Sequence, residues 1–145
     1  MRLSPSPLIV LFAIGCGNPA DALAGRWDIS EPKSLAKGSV TVGEFRDGKL
    51  TFERRSEVVG IGRIAVTTTG TYEQSGNSVT LTRTESRIDA SAIKDAKLRR
   101  QTVEVMAGMA KAMEGKPLTY SLEIVDPDRI VLSDVSGSLT LTRVR

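Results

Sequence analysis

From Gly25 onward apolar and polar residues alternate, the mark of half-buried strands. Trp27 and Ile29 share one face of residues 25–29, and residues 39–46 form a second extended run. Asp47-Gly48 is a strong hairpin signal, after which residues 49–57 return with Leu50 and Phe52 in phase. Residues 63–74 are rich in Thr and Val, with Ile64, Val66 and Tyr72 in phase. Ser75-Gly76-Asn77 turns the chain into residues 78–87, where Val79 and Leu81 are in phase.

The alternation then stops. Over residues 89–114, Ile93, Ala96, Val103, Met106, Ala110 and Met113 recur at helical spacing. Asp89 or Ser91 can cap the start, and Gly115 and Pro117 end the segment. A helix of that length, nearly 40 Å at about 1.5 Å per residue, invites a break near residues 99–102 or at Gly108. Alternation resumes over residues 118–124, where Leu118, Tyr120, Leu122 and Ile124 share a face. Asp126-Pro127-Asp128 and Ser136-Gly137 separate two last runs, 129–135 and 138–145. The sequence therefore predicts a mainly β domain: an antiparallel meander of about eight strands, closed into a barrel or left as a curled sheet, with one helical insertion over about 89–114. Closure would remove exposed strand edges.

The start of the chain has a different texture. Arg2 precedes a short apolar run, Leu8 to Ile14, well under the roughly 20 residues a membrane-spanning helix needs. Such a run followed by small residues reads as a secretory signal. Ala13-Ile14-Gly15-Cys16 resembles the lipobox of bacterial lipoproteins. That resemblance implies a diacylglycerol on the Cys16 sulfur, palmitate-type acyl chains and cleavage just before Cys16. It divides the chain into a signal peptide (1–15), a lipidated tether (16–24) and a single domain (25–145). Several acyl chains suffice for stable anchoring where one is marginal. Gly17 after the cysteine implies, by the same resemblance, the periplasmic face of the outer membrane in a Gram-negative cell. Two alternatives stay open: cleavage after Ala22-Leu23-Ala24 by ordinary signal peptidase, and a buried free cysteine in a cytosolic protein.

Composition narrows the chemistry. The 145 residues suit one domain, and aromatics make up only 4%, so the core must rest on Leu, Ile, Val and Met. The chain has no histidine, which excludes Ser-His-Asp and Cys-His catalysis and His-rich zinc sites. A single cysteine excludes an intramolecular disulfide and a Cys-x-x-Cys motif. A net charge of +3 falls short of a nucleic-acid binder's clustered charge.

The remaining motifs mostly have structural readings. Gly60-Ile61-Gly62-Arg63-Ile64-Ala65 fits a dinucleotide fingerprint in letters, but the β-branched Val66-Thr67-Thr68-Thr69 that follows opposes the helix such a site requires. A turn or bulge is expected there. Asp126, Asp128 and Asp134 first read as turn residues, with an oxygen-rich metal site as the alternative. Lys94, Lys97, Arg99 and Arg100 make a basic helix half, read as a solvated face. Met106, Met109 and Met113 lie along one helical side, as core filler or facing a ligand.

Gly25-x-Trp27 opening the first strand resembles the lipocalin and calycin group. The resemblance implies a lipocalin-like barrel in which the Trp closes one end and a late Arg packs across it. Arg143 is the candidate partner of Trp27, with Arg145 the alternative. Expected function follows: a lipid-anchored cell-envelope protein that binds a small apolar ligand or lipid. Trp27, Tyr72, Tyr120, Met106, Met109 and Met113 would line or cover the ligand. The alternative is a non-enzymatic interaction or structural lipoprotein with a filled barrel. No motif supplies a nucleophile and base, so no catalytic residue, cofactor, metal, nucleotide or nucleic acid is expected; an envelope protein remains a candidate partner. A connected cavity inside the barrel separates the two readings.

Overall fold

The computed structural model describes residues 22–31 and 39–145. Cys16, the signal segment and the first part of the tether lie outside the described residues. The strands are β1 (Gly25–Ser30), β2 (Val40–Arg46), β3 (Lys49–Val58), β4 (Gly62–Ser75) and β5 (Ser78–Asp89). Helix α1 (Ala96–Met113) follows, and β6 (Pro117–Asp126), β7 (Arg129–Asp134) and β8 (Gly137–Arg143) complete the order. Each strand pairs antiparallel with its sequence neighbour, and β1 pairs with β8, which closes the barrel. Of the two sheet forms open to the sequence, the closed barrel is the one adopted.

One end of the interior is packed solid. Trp27, Phe45, Leu50, Val79, Ile130, Leu132 and Leu141 are all at most 2% exposed and belong to one cluster with Tyr72 and Leu122. Phe45 stands edge-on to Tyr72 and to Phe52, with centroids 5.1 and 5.7 Å apart, a favoured aromatic geometry. Leu23, placed by the sequence in the tether, belongs to this core and is fully buried. Ala22 and Leu23 are helical and pack against the closed end. Apolar contact is the reason: Leu23 removes its side chain from water by covering the barrel floor.

The strands β3, β4 and β5 outrun the others, and the extension carries a second small core of Ile64, Ala90 and Ile93. Leu98, Val103 and Met106 of α1 pack on it. The helix starts later than the 89 expected from periodicity. Asp89 ends β5 and accepts hydrogen bonds from Ser91 N (2.9 Å) and Oγ (2.6 Å), so this pair makes a turn. These bonds, made to the ionised carboxylate, hold the Asp89 pKa below its ordinary value. Asp95 is the N-cap, its Oδ1 accepting from Leu98 N at 3.0 Å. The shorter helix, 18 residues, runs unbroken through residues 99–102 and Gly108. No residue of α1 is fully buried, so its stability leans on the cap. Replacing Asp95 with Ala is expected to cost about 1 kcal/mol, read as faster amide exchange in the first turn of α1 with little change in the barrel strands.

Candidate ligand-binding site

Residues alternate inward and outward along every strand, and the inward rows decide what the barrel holds. Below, the rows are large and apolar. Toward the other end they leave space: a cavity of about 130 Å³ inside the barrel. Leu50, Phe52, Leu81, Leu118, Leu139 and Ile29 give it apolar walls. Thr41, Thr68 and Tyr120 add hydroxyls, and Arg54, Arg83 and Glu31 add charge. All strands but β7 contribute. An outer hollow of about 360 Å³ beside the β7–β8 turn shares Glu31, Arg83, Tyr120 and Leu139 and adds Asp134 and Ser136.

A bulge sets the shape of this end. The β4–β5 register shifts between Thr69 and Gly70, because Gly70 faces Arg83 while Thr69 faces Glu85. Thr84 is the extra residue, and its Oγ1 donates to Thr69 O at 3.1 Å. Arg83 lines the cavity, and Ser86, three residues on, pairs with the cavity residue Thr68 and hydrogen-bonds to it at 3.0 Å. Both therefore face inward, which simple alternation forbids and a bulge allows.

Tyr120 is half-buried at the junction of the two spaces. Burial pushes its phenol pKa up, and the Asp134 carboxylate adds to the rise. The hydroxyl is a neutral donor at physiological pH. Asp134 itself is held below the usual carboxylate range by hydrogen bonds from Ser136 Oγ (2.6 Å), Ser136 N (2.8 Å) and Gly137 N (3.1 Å).

The residues singled out from sequence separate into three places. Tyr120 lines the cavity. Trp27 and Tyr72 lie in the solid end. Met106 packs in the second core, and Met109 is 67% exposed; neither they nor Met113 lines the cavity. The helix covers the β4–β5 extension rather than the barrel interior, which is why its methionines are absent from the walls. Asp126 and Asp128 sit at one end of β7 and Asp134 at the other, so the three are not brought together. Gly60 and Gly62, with φ of 79° and 130°, make the β3–β4 turn. The residues missed were Arg54 and Arg83. A signal was available: Arg54 is in phase with Leu50 and Phe52, and Arg83 with Val79 and Leu81, so charge falls on an apolar row.

At the closed end Trp27 and Arg143 face each other across the β1–β8 pair. The Arg143 guanidinium lies 4.2 Å from the indole centroid. Its Nη1 donates to Ala24 O (3.2 Å) and its Nε to Pro127 O (3.2 Å), with Asp128 at 3.7 Å. Trp27 Nε1 donates to Leu23 O at 2.8 Å. Arg145 instead pairs with the Asp128 carboxylate. Gly25, at φ 130°, explains the spacing of the motif: a Cβ there would lie 2.5 Å from Arg143 Nη1.

No protein-family model and no curated protein matches the chain. Among solved structures, a lipocalin-like protein from Bacteroides uniformis ATCC 8492 is similar, with a TM-score of 0.47 and 15% identity over 85% of this chain and 99% of that one.

Proposed function

We propose that this protein is a lipid-anchored envelope protein that takes a small ligand into the open half of its barrel. The observation that carries the ligand reading is the cavity of about 130 Å³, walled by six apolar side chains and reached from one end. An eight-stranded barrel is wide enough either to fill with side chains or to hold one small ligand. Here the two halves do different things: a solid end gives stability, and an open end gives a site. A filled barrel, the basis of the alternative reading, lacks such a space.

The anchor reading rests on the lipobox-like segment ending at Cys16. Leu23 supports it over cleavage after Ala24. That cut would remove a fully buried core residue together with the carbonyls that accept from Trp27 and Arg143. Five residues separate Cys16 from Ala22, a span of at most about 18 Å. On this reading the closed end faces the bilayer and the open end faces away, so the ligand arrives from the aqueous side.

Mass spectrometry of protein extracted from its native membrane tests both parts. The expected result is a chain beginning at Cys16 and carrying acyl mass, with a small molecule retained under native conditions. A soluble, unacylated chain that keeps residues 1–15 overturns the anchor; repeated recovery without any retained molecule counts against the ligand.

A further inference from the structure

We propose that the lumen ligand is a small amphipathic monoanion, its carboxylate held by Arg54, Arg83 and Tyr120 and its apolar part, one ring or a short chain, lying against Leu50, Phe52 and Leu81. This rests on the lumen-binding reading above and adds the charge and size of the ligand.

Outward-facing arginines of the same strands have carboxylate partners: Arg55 with Glu53 at 2.6 Å, and Arg87 with Glu85 at 3.3 Å. Arg46, Arg143 and Arg145 are also paired. Among the described residues, Arg54 and Arg83 have no carboxylate within 4.0 Å, and these are the two that line the cavity. The inner cavity thus holds two guanidinium groups against one carboxylate, Glu31. Asp134 lines only the outer hollow, and its Oδ1 is already taken by the β7–β8 turn. An anion restores neutrality, and the guanidinium fork fits a carboxylate. Tyr120 adds a neutral O–H donor from the adjoining wall.

Size sets the other limit. A dry apolar cavity of about 150 Å³ accommodates benzene, so about 130 Å³ admits a ring or a short chain and no more.

The test uses the full chain carrying Cys16→Ser, which keeps acyl chains and detergent out of the lumen. Hexanoate and phenylacetate are titrated against 1-hexanol and 2-phenylethanol, followed by calorimetry and by the methyl NMR signals of Leu81, Leu118 and Leu139. Each acid is expected to bind about tenfold or more tighter than its alcohol. Arg54→Gln and Arg83→Gln should each reduce that ratio while leaving the alcohols' affinity unchanged, and Arg→Lys at either position should restore part of it. Alcohols that bind as tightly as acids, hexylammonium that binds tighter than hexanoate, or a ratio untouched by both Gln variants overturns the anion proposal and leaves the lumen reading standing. Dodecanoate binding more than tenfold tighter than hexanoate overturns the size limit. If none of the probes moves the lumen signals, the lumen reading itself fails.

Discussion

Replacing Trp27 with Ala should lower the stability of the domain by about 3–5 kcal/mol, the range for deleting a fully buried large aromatic. Trp27 is 0% exposed at the solid end, and three interactions converge on it. Its ring is covered by the Arg143 guanidinium at 4.2 Å, an attraction of about 0.5–2 kcal/mol. Its Nε1 donates to Leu23 O, and that bond fixes the residue that covers the floor. Loss of the indole leaves the Leu23 carbonyl and the Arg143 guanidinium without their partner, so the cost exceeds the lost area. Urea unfolding checks the magnitude. Trp27→Phe should fall between the two proteins, because it restores the ring but not the donor. In a double-mutant cycle with Arg143→Met, a coupling near zero would remove the cation–π contact from the account. Because Trp27 does not line the cavity, Trp27→Ala should unfold more easily yet bind hexanoate normally where it remains folded.

Much of the fold was legible because strands in an antiparallel barrel write their faces into the sequence one residue at a time. Leu50 with Phe52, Val79 with Leu81 and Leu118 with Tyr120 are in phase, and each pair points inward. Turn chemistry was equally direct at Asp47-Gly48, where both residues have positive φ. The edge of the helix was not legible, because Asp89 and Ser91 carry the same letters as a cap while forming a turn. Nor was the role of Leu23, since a burial against a distant floor leaves no periodic trace in two residues.

The site was less legible than the fold for a related reason. Aromatic and sulfur-bearing residues attract attention as ligand contacts, yet large side chains are also what fills a small barrel. Trp27 and Tyr72 fill the solid end, and the methionines belong to a helix laid on the β4–β5 extension. The cavity exists where the inward rows turn to smaller or charged residues: Thr41, Thr68, Arg54 and Arg83. Phase continued past Arg83 by strict alternation assigns Ser86 and Ile88 to the outer face. The bulge at Gly70 returns both to the inner one, and a bulge is set by a close backbone approach that no periodicity reports.

Gly70→Ala should therefore be the most damaging single methyl group in the protein. A Cβ at Gly70 would lie 2.1 Å from Thr82 O, 3.0 Å from Thr82 C and 3.1 Å from Arg83 Cα, all backbone atoms of the neighbouring strand. No rotamer change relieves such a contact, so β4 and β5 must separate at the bulge. Overpacking typically costs about 1–3 kcal/mol where side chains can yield; with backbone on both sides about 3 kcal/mol or more is expected. Equilibrium unfolding reads the loss, and a cost below 1 kcal/mol would show that the two strands do not approach this closely. The functional consequence goes further than stability. Arg83 is the residue opposite Gly70, and the bulge aims it into the lumen while keeping Ser86 and Ile88 on the same face. Under conditions where Gly70→Ala remains folded, its preference for hexanoate over 1-hexanol should fall toward that of Arg83→Gln, although no side chain in the cavity has been changed. A control at Gly76, where a Cβ would meet nothing within 4 Å, separates this local effect from the general strain of a side chain at positive φ: Gly76→Ala should lose some stability in the β4–β5 turn and none of the acid preference.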